Sequence, residues 1–440
     1  MKPSIKIGLL TALVILMCQA CGSSSDAQNP QSEAIKVEIT SDQGKYHLLR
    51  DGKPYQVKGA GIEYGDIDAF ARHGGNSFRT WNIDSGGRTG QQVLDKAQSL
   101  GLTVSMNLVL GAEHWGFDYN NKEKVAKQFE RIKLEVLKYK DHPALLSWII
   151  GNELNYDFKN PKVYDAVNDI SKMIHQLDPN HPTTTTLSGY VPHDIKVILE
   201  RAADLDYISV QMYSDLVNLP DYIRRDNFPT PLFVTEWGAQ GHWEVEKTSW
   251  GAPIEKNSSM KAKNYLDGYQ QVIEPLAGQV IGTYVFLWGQ KQERTATWYG
   301  MFTDTDAETE TIDVMHYIWN QRWPENRTPK LESMLLNGQS AEDNVKLKAN
   351  GNYTALVTVK DPENDPIRYR WELRHESKTT QAGGAQEKLP ALVTGLIRGE
   401  SNKEIQIQAP ATHGAYRLFV YAYDGNGHAA HANIPFYVDE

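Results

Sequence analysis

Two short runs end apolar stretches in a carboxylate: GNELN at 151–155 and VTEWG at 234–238. Glu153 and Glu236 are the candidate catalytic residues. Two carboxylates sharing one substrate can divide the work. One gives a proton to a leaving oxygen while the other faces the positive charge left behind. The two must differ in proton affinity, so that one keeps its proton near neutral pH. Held about 5–5.5 Å apart, such a pair opens a glycosidic bond with retention through a covalent intermediate. Asn152, beside Glu153, can bond a substrate hydroxyl. Arg79 and Tyr213 are expected to face Glu236, since an opposite charge or a hydrogen bond favours an ionised carboxylate. A lone glutamate at such a place is more often a solvated loop charge, so the reading rests on the two together.

Strands must bring these residues to one point. From residue 56 to about 320, eight short apolar runs alternate with helical stretches. The runs are QVKGAGIEY, SFRTWNI, TVSMNLVLG, LLSWIIGNE, PTTTTLSG, YISVQMYS, PLFVTEWG and IGTYVFLWG. Strict alternation predicts parallel strands joined by crossover helices. Strands apolar along both faces belong to a sheet covered on both sides. A (β/α)8 barrel of about 250 residues fits the span. An open doubly wound sheet is the alternative, but GAGIEYG is not the G-x-G-x-x-G phosphate loop that it would want.

Barrel chemistry sits at the C-terminal ends of the strands. The residues placed there are Glu63 and Tyr64, Arg79 and Asn82, and Glu113, His114 and Trp115. Asn152 and Glu153, Tyr213, Glu236 and Trp237, and Trp288 and Gln290 follow. Side chains alternate along a strand. Counting by two from Glu153 puts Gly151, Ile149 and Ser147 on the inward face, and counting from Glu236 puts Val234 and Leu232 there. Gly151 is expected to leave space beneath the site. Trp115, Trp237, Trp243, Trp250, Trp298 and Tyr299 fall in top-side loops, where rings can stack on sugars. The long loop GQKQERTATWYGMFTDTD holds Glu293 and Arg294, candidate substrate contacts for which a solvated salt bridge is the favoured reading.

The chain divides into four parts: 1–20, 21–34, 35–325 and 326–440. The first has Lys2 and Lys6 before the apolar run Ile7 to Met17, as in an export signal that is cleaved. Small Ala20, then Cys21, then a Gly/Ser tether is the pattern of a bacterial lipoprotein. Lipid on Cys21 is therefore expected, with an exported protein held at the envelope by that anchor alone. Cys18 and Cys21 are the only cysteines, so the mature chain has no pair for a disulfide. The third part is the barrel, entered through a hairpin with an Asp51-Gly52 turn. The fourth alternates without helical period in YTALVTVKD, IRYRWELRH, KEIQIQAP, YRLFVYAYDG and NIPFYVD. It reads as an immunoglobulin-like β-sandwich, with Trp371 and Tyr369 in its core and DPENDP as a turn. Lys and Arg total 45 against 55 Asp and Glu, which argues against a nucleic-acid partner. No metal and no cofactor is expected, and a monomer is.

GNELN and VTEWG resemble the acid/base and nucleophile strand ends of glycoside hydrolase clan A, the retaining barrels with catalytic glutamates on strands four and seven. RTWN at 79–82, Tyr213 and Trp288 fit that clan as well. DGKPYQVKGAGIEY resembles the start of the family 2 barrels and of the fungal β-1,3-glucanosyltransferases. The resemblance covers about residues 45–320. It implies Glu153 as acid/base, Glu236 as nucleophile and Asn152 as the 2-hydroxyl contact. Tyr213 would hydrogen-bond the nucleophile, and Trp288 would floor the cleaved-sugar subsite. Gln211 stands where many clan members have His. Family 2 enzymes carry sandwiches before the barrel, whereas here one follows it, so the resemblance names the clan and not the family. The function it implies is hydrolysis of a β-linked polysaccharide or oligosaccharide, with β-glucan as first guess. Transglycosylation and non-catalytic glycan binding are the alternatives.

Overall fold

The computed structural model describes residues 33–379 and 387–439. The expected signal over 1–20, the lipidation site Cys21 and the tether up to residue 32 lie outside the described residues. Among the described residues, no helix is long and apolar enough to cross a membrane.

The first sheet is antiparallel: β1 (Val37–Asp42), β2 (Lys45–Arg50) and β3 (Lys53–Pro54). Asp51 and Gly52 both have positive φ, 54° and 68°, the backbone that a two-residue hairpin turn requires. Strands and helices then alternate: β4 (Gly59–Gly61), α1 (Ile67–Arg72), β5 (Ser77–Arg79), α2 (Gly90–Ser99), β6 (Thr103–Leu108) and α3 (Lys122–Tyr139). Next come β7 (Leu145–Asn152), α4 (Lys162–Leu177), β8 (Thr183–Ser188), α5 (Pro192–Arg201), β9 (Ile208–Gln211) and α6 (Leu219–Asp226). The series ends with β10 (Leu232–Glu236), α7 (Ser258–Gly268), β11 (Val280–Val285) and α8 (Glu310–Asn320). β4 to β11 close a parallel barrel, with β11 pairing back to β4.

Local sequence explains the helices. Asp66 caps α1 through the amides of Asp68 and Ala69, and Thr89 with Gln92 forms a capping box on α2. These side chains satisfy amides that the first turn leaves open. In α4, Val163, Val167, Ile170 and Ile174 are buried, an apolar stripe at helical spacing that lies on the barrel.

The barrel interior is layered. At its N-terminal end, Val37 and Leu48 of the first sheet cluster with Val57, Leu146, Tyr207, Phe233 and Tyr284, so the hairpin plugs the barrel. Above lies a layer of hydroxyls. Ser105 Oγ is 2.7 Å from Ser147 Oγ and 2.7 Å from the Tyr284 hydroxyl, which also reaches Ser77. Tyr207 donates to Ser147, and Thr184 bonds Ser209. A buried polar layer is tolerated when each member finds a partner.

After α8 the chain forms β12 (Lys330–Leu336), β13 (Lys346–Lys348), β14 (Asn352–Lys360), β15 (Arg368–His375), β16 (Ile397–Arg398), β17 (Glu404–Gln408), β18 (Gly414–Tyr423) and β19 (Ala429–Asp439). They make two four-stranded sheets, ordered β12-β14-β17-β16 and β13-β19-β18-β15. Leu336, Val357, Leu418, Phe436 and Trp371 fill the space between. β12, β13 and β16 join the five strands that the alternation suggested; β13 and β16 are only three and two residues long.

Candidate active site

The C-terminal ends of the barrel strands open into a cleft of about 1390 Å3, above the usual range of small-molecule pockets, about 300–1,000 Å3. Asn152, Glu153, Tyr213 and Glu236 line it together. Two breaks in strand alternation put them there.

Along β7 the inward count holds as far as Ser147, which joins the hydroxyl layer, while Trp148 and Ile150 pack outward with the helices. The register against β8 then slips between Ile149 and Asn152. Gly151 has φ 75° and Glu153 φ 49°. This bulge turns both Asn152 and Glu153 to the cleft, which no period of two allows. The expectation that Gly151 leaves space beneath the site is corrected. A methyl there would sit 2.5 Å from Leu154 Cδ1, and the glycine is needed for its left-handed backbone.

On β10 the expected inward residues are corrected as well. Leu232 and Val234 pack in the cluster shared with the helices, and Phe233 points inward. A register shift between Val234 and Glu236 against β9 restores Glu236 to the inside. Trp237 then falls on the outer face. It is fully buried against Tyr265 and Tyr269 and is no substrate contact.

Glu236 accepts from three donors. The Tyr213 hydroxyl lies 2.7 Å from Oε2, Trp81 Nε1 lies 2.9 Å from Oε1, and Arg79 Nη1 lies 3.4 Å from Oε1. Burial, followed by the negative field of Glu236, pushes the Tyr213 phenol far above its ordinary range, so it remains a donor. Arg79 is wholly buried, and burial lowers its affinity for a proton while Glu236 and Glu153 raise it. Its Nη2 donates to Asn152 Oδ1 at 2.8 Å. Gln211 Nε2 and Thr186 Oγ1 donate to the same oxygen, at 2.8 and 3.2 Å. The Asn152 carbonyl is thus occupied by protein, and its NH2 is left as the donor for a substrate. Gln211, at the position where many clan barrels carry His, acts here by holding Asn152.

Desolvation in the cleft wall, then repulsion from Glu236, raises the Glu153 carboxyl to about 8. The site therefore holds one carboxyl that keeps its proton near neutrality and a second that is fixed by three donors.

The remaining expected residues divide. His114 and Trp115 line the cleft, and Trp115 is 70% exposed. His114 packs edge-on against Tyr156, three residues beyond Glu153. Trp243 lines the cleft and packs edge-on against Tyr213. Trp298 and Tyr299 are buried, and Trp250 packs against Tyr437 of β19. Trp288 is corrected as a subsite floor. It is fully buried among Phe70, Phe302 and Trp319, with Nε1 donating to the Asp66 carbonyl. Phe286, two residues earlier, lines the cleft instead and meets Trp81 and Tyr213 edge-on. The pairing of Glu293 with Arg294 is corrected too: Glu293 is buried and bridges to Lys291 at 2.6 Å.

Trp81 escaped the strand-end reading. Period two from the inward Ser77 and Arg79 lands on it, and that count was the signal for it. Phe286 had a similar signal, two residues after the inward Tyr284.

Residues 65–315 match the family described as glycosyl hydrolases family 2, TIM barrel domain. Among solved structures, β-glucuronidase 2 of Bacteroides uniformis has a TM-score of 0.51 at 13% identity, covering 92% of this chain and 48% of that one. The FMN-binding β-glucuronidase from Facaelibacterium prausnitzii L2-6 gives 0.50 at 13%, covering 92% and 59%. A β-D-glucuronidase of Dictyoglomus thermophilum gives 0.50 at 17%, covering 66% and 54%. At these identities the likeness is one of fold, and the chain spans about half the length of those structures. No curated protein matches the chain.

Proposed function

The chain belongs to glycosyl hydrolases family 2, and from that premise we propose that it is a retaining β-glycosidase acting on β-linked glycans, with Glu153 as acid/base and Glu236 as nucleophile. The observation that carries the proposal is the pairing in one cleft of a carboxyl raised by desolvation with a carboxylate held by Tyr213, Trp81 and Arg79. Glu153 gives its proton to the leaving oxygen as Glu236 attacks the anomeric carbon. The C–O bond to the leaving sugar breaks and a glycosyl ester forms. Glu153, now ionised, takes a proton from water, which attacks the same carbon and releases Glu236. Asn152 donates its NH2 to a hydroxyl of the bound sugar.

β-Glucan oligosaccharides are the first substrates to test, on the resemblance of the barrel's first strand. Similar structures are β-glucuronidases, so an aryl β-glucuronide belongs in the same panel. The test of the mechanism is Glu236→Gln, expected to abolish turnover while leaving sugar binding intact; full activity would overturn it. Early product read by NMR is expected to keep its anomeric configuration, and inversion would rule out the double displacement. Trp115, exposed beside the acid/base loop, favours a second outcome, in which an acceptor sugar in place of water takes the glycosyl group. Product sizing separates the two.

We propose as well that the protein is exported and carries lipid on Cys21, on the grounds of sequence. Cys21→Ser is expected to move the protein from the detergent to the aqueous phase on phase separation.

A further inference from the structure

Resting on that glycosidase reading, we infer that the cleft takes neutral glycans and is closed to carboxylate-bearing sugars, and that Glu293 sets this choice by neutralising Lys291. Besides the two proposed catalytic residues, Glu63, Asp215, Glu244, Glu293 and Glu387 line the cleft. Among the described residues lining it, Lys291 is the only Lys or Arg. Its Nζ lies 2.6 Å from Glu293 Oε2 and 5.5 Å from the centroid of the Phe286 ring. Arg79 lies below the cleft, wholly buried, with its guanidinium committed to Glu236 and Asn152.

A uronate entering this cleft loses water from its carboxylate and meets no unengaged Lys or Arg among the described residues that line it. It enters a field made by carboxylates, and like charges set side by side discriminate strongly between partners. A neutral sugar has the opposite fit. Its hydroxyls donate to the same oxygens, and its C–H faces meet exposed rings on two sides: Trp115 with Tyr156 near Glu153, and Trp243 beside Tyr213. The substrate class is therefore an uncharged β-glycan, and not the glucuronide that the similar folds suggest.

The experiment compares matched p-nitrophenyl β-D-glucoside, β-D-galactoside, β-D-mannoside and β-D-glucuronide. Each is measured as substrate on the full chain and as ligand of the Glu236→Gln protein by calorimetry. The best neutral glycoside is expected to exceed the glucuronide by about a hundredfold in kcat/KM at low salt, with the gap narrowing as salt is added. Glu293→Gln frees Lys291 and is expected to raise the glucuronide relative to the neutral glycoside by about tenfold. Lys291→Met is expected to leave that ratio within about threefold. A glucuronide that outruns every neutral glycoside, or that loses its turnover in Lys291→Met, overturns the inference. If nothing is turned over, the glycosidase reading fails while binding still decides this one. Tighter binding of a neutral glycoside supports it, and equal or tighter binding of the glucuronide, or no binding at all, overturns it.

Discussion

The Trp81 indole donates to the Glu236 oxygen that Arg79 also approaches. Trp81→Phe removes the donor and keeps a ring, so it tests the hydrogen bond apart from packing. A bond to a charged group contributes about 1.5–3 kcal/mol, so kcat is expected to fall by about tenfold to a hundredfold with the fold intact by circular dichroism. Glu153 tests proton affinity. A general acid must hold its proton, so activity is expected to decline as pH rises through the raised value near 8. Glu153→Gln is expected to lower kcat by about 10²–10⁴ on substrates with poor leaving groups. Its effect on stability has a definite sign. A carboxyl raised in the folded state binds more protons there than when unfolded, so stability is lost as pH climbs between the unfolded and folded values. Glu153→Gln escapes that loss. Its Tm is expected to exceed that of the parent by about 2 °C at pH 8 and to equal it at pH 4; a parent at least as stable at pH 8 would contradict the burial of a charged Glu153.

At the level of elements, the site depends on two departures from regular strands, the bulges that end β7 and β10. Gly151→Ala is the direct probe of the first. It places a side chain at φ 75° and a methyl 2.5 Å from Leu154, and is expected to cost more than about 1 kcal/mol by denaturant titration. Activity is expected to fall further than stability alone explains, because Glu153 shares the bulge. The eight-fold alternation of strand and helix is legible from local periodicity, since each run needs only its own residues to declare an apolar face. The inward face at the strand ends is not. A single inserted residue flips every side chain beyond it, which is why Leu232 and Val234 face outward and Trp237 turns away from the cleft. Trp288 shows the same limit. Its type matched the barrel pattern, but the pocket made by Phe70, Phe302 and Trp319 claims its ring.

Across the whole molecule, the sandwich is bound into the rim of the barrel. Glu255 is buried with Lys261 of α7, and its carboxylate accepts from Thr295, Thr297 and Asn433 of β19. Arg417 of β18 donates to the Pro253 carbonyl, Glu376 and Asn433. Thr295 and Thr297 belong to the loop that carries Lys291 and Glu293 into the cleft. Burial alone would raise the Glu255 carboxyl, but Lys261, His431 and the hydroxyl of Thr295 hold it down to about 2. A depressed carboxyl stabilises above its unfolded value and loses that contribution as pH falls toward the folded one. Glu255→Ala strands Lys261 without its partner and is expected to cost about 3–5 kcal/mol. Calorimetry is expected to show barrel and sandwich melting in one transition, and two well-separated transitions would contradict this coupling.

Sequence by itself determined the closed barrel, the trailing sandwich and the two glutamates brought together at the barrel's C-terminal rim. Periodicity and strand-end position are local properties, and the barrel topology turns them into a common point in space. Only the tertiary structure decided which rings reach the cleft, what holds Glu236 and Asn152, and that Lys291 arrives already neutralised. Most of those outcomes depend on bulges and on neighbours distant in sequence, as when Gln211 reaches Asn152 across 59 positions and Trp81 meets Glu236 across 155. Lys291 meets Glu293 within one loop, but the fold carries both into the cleft. A strand carries no local mark of which distant side chain will close over it.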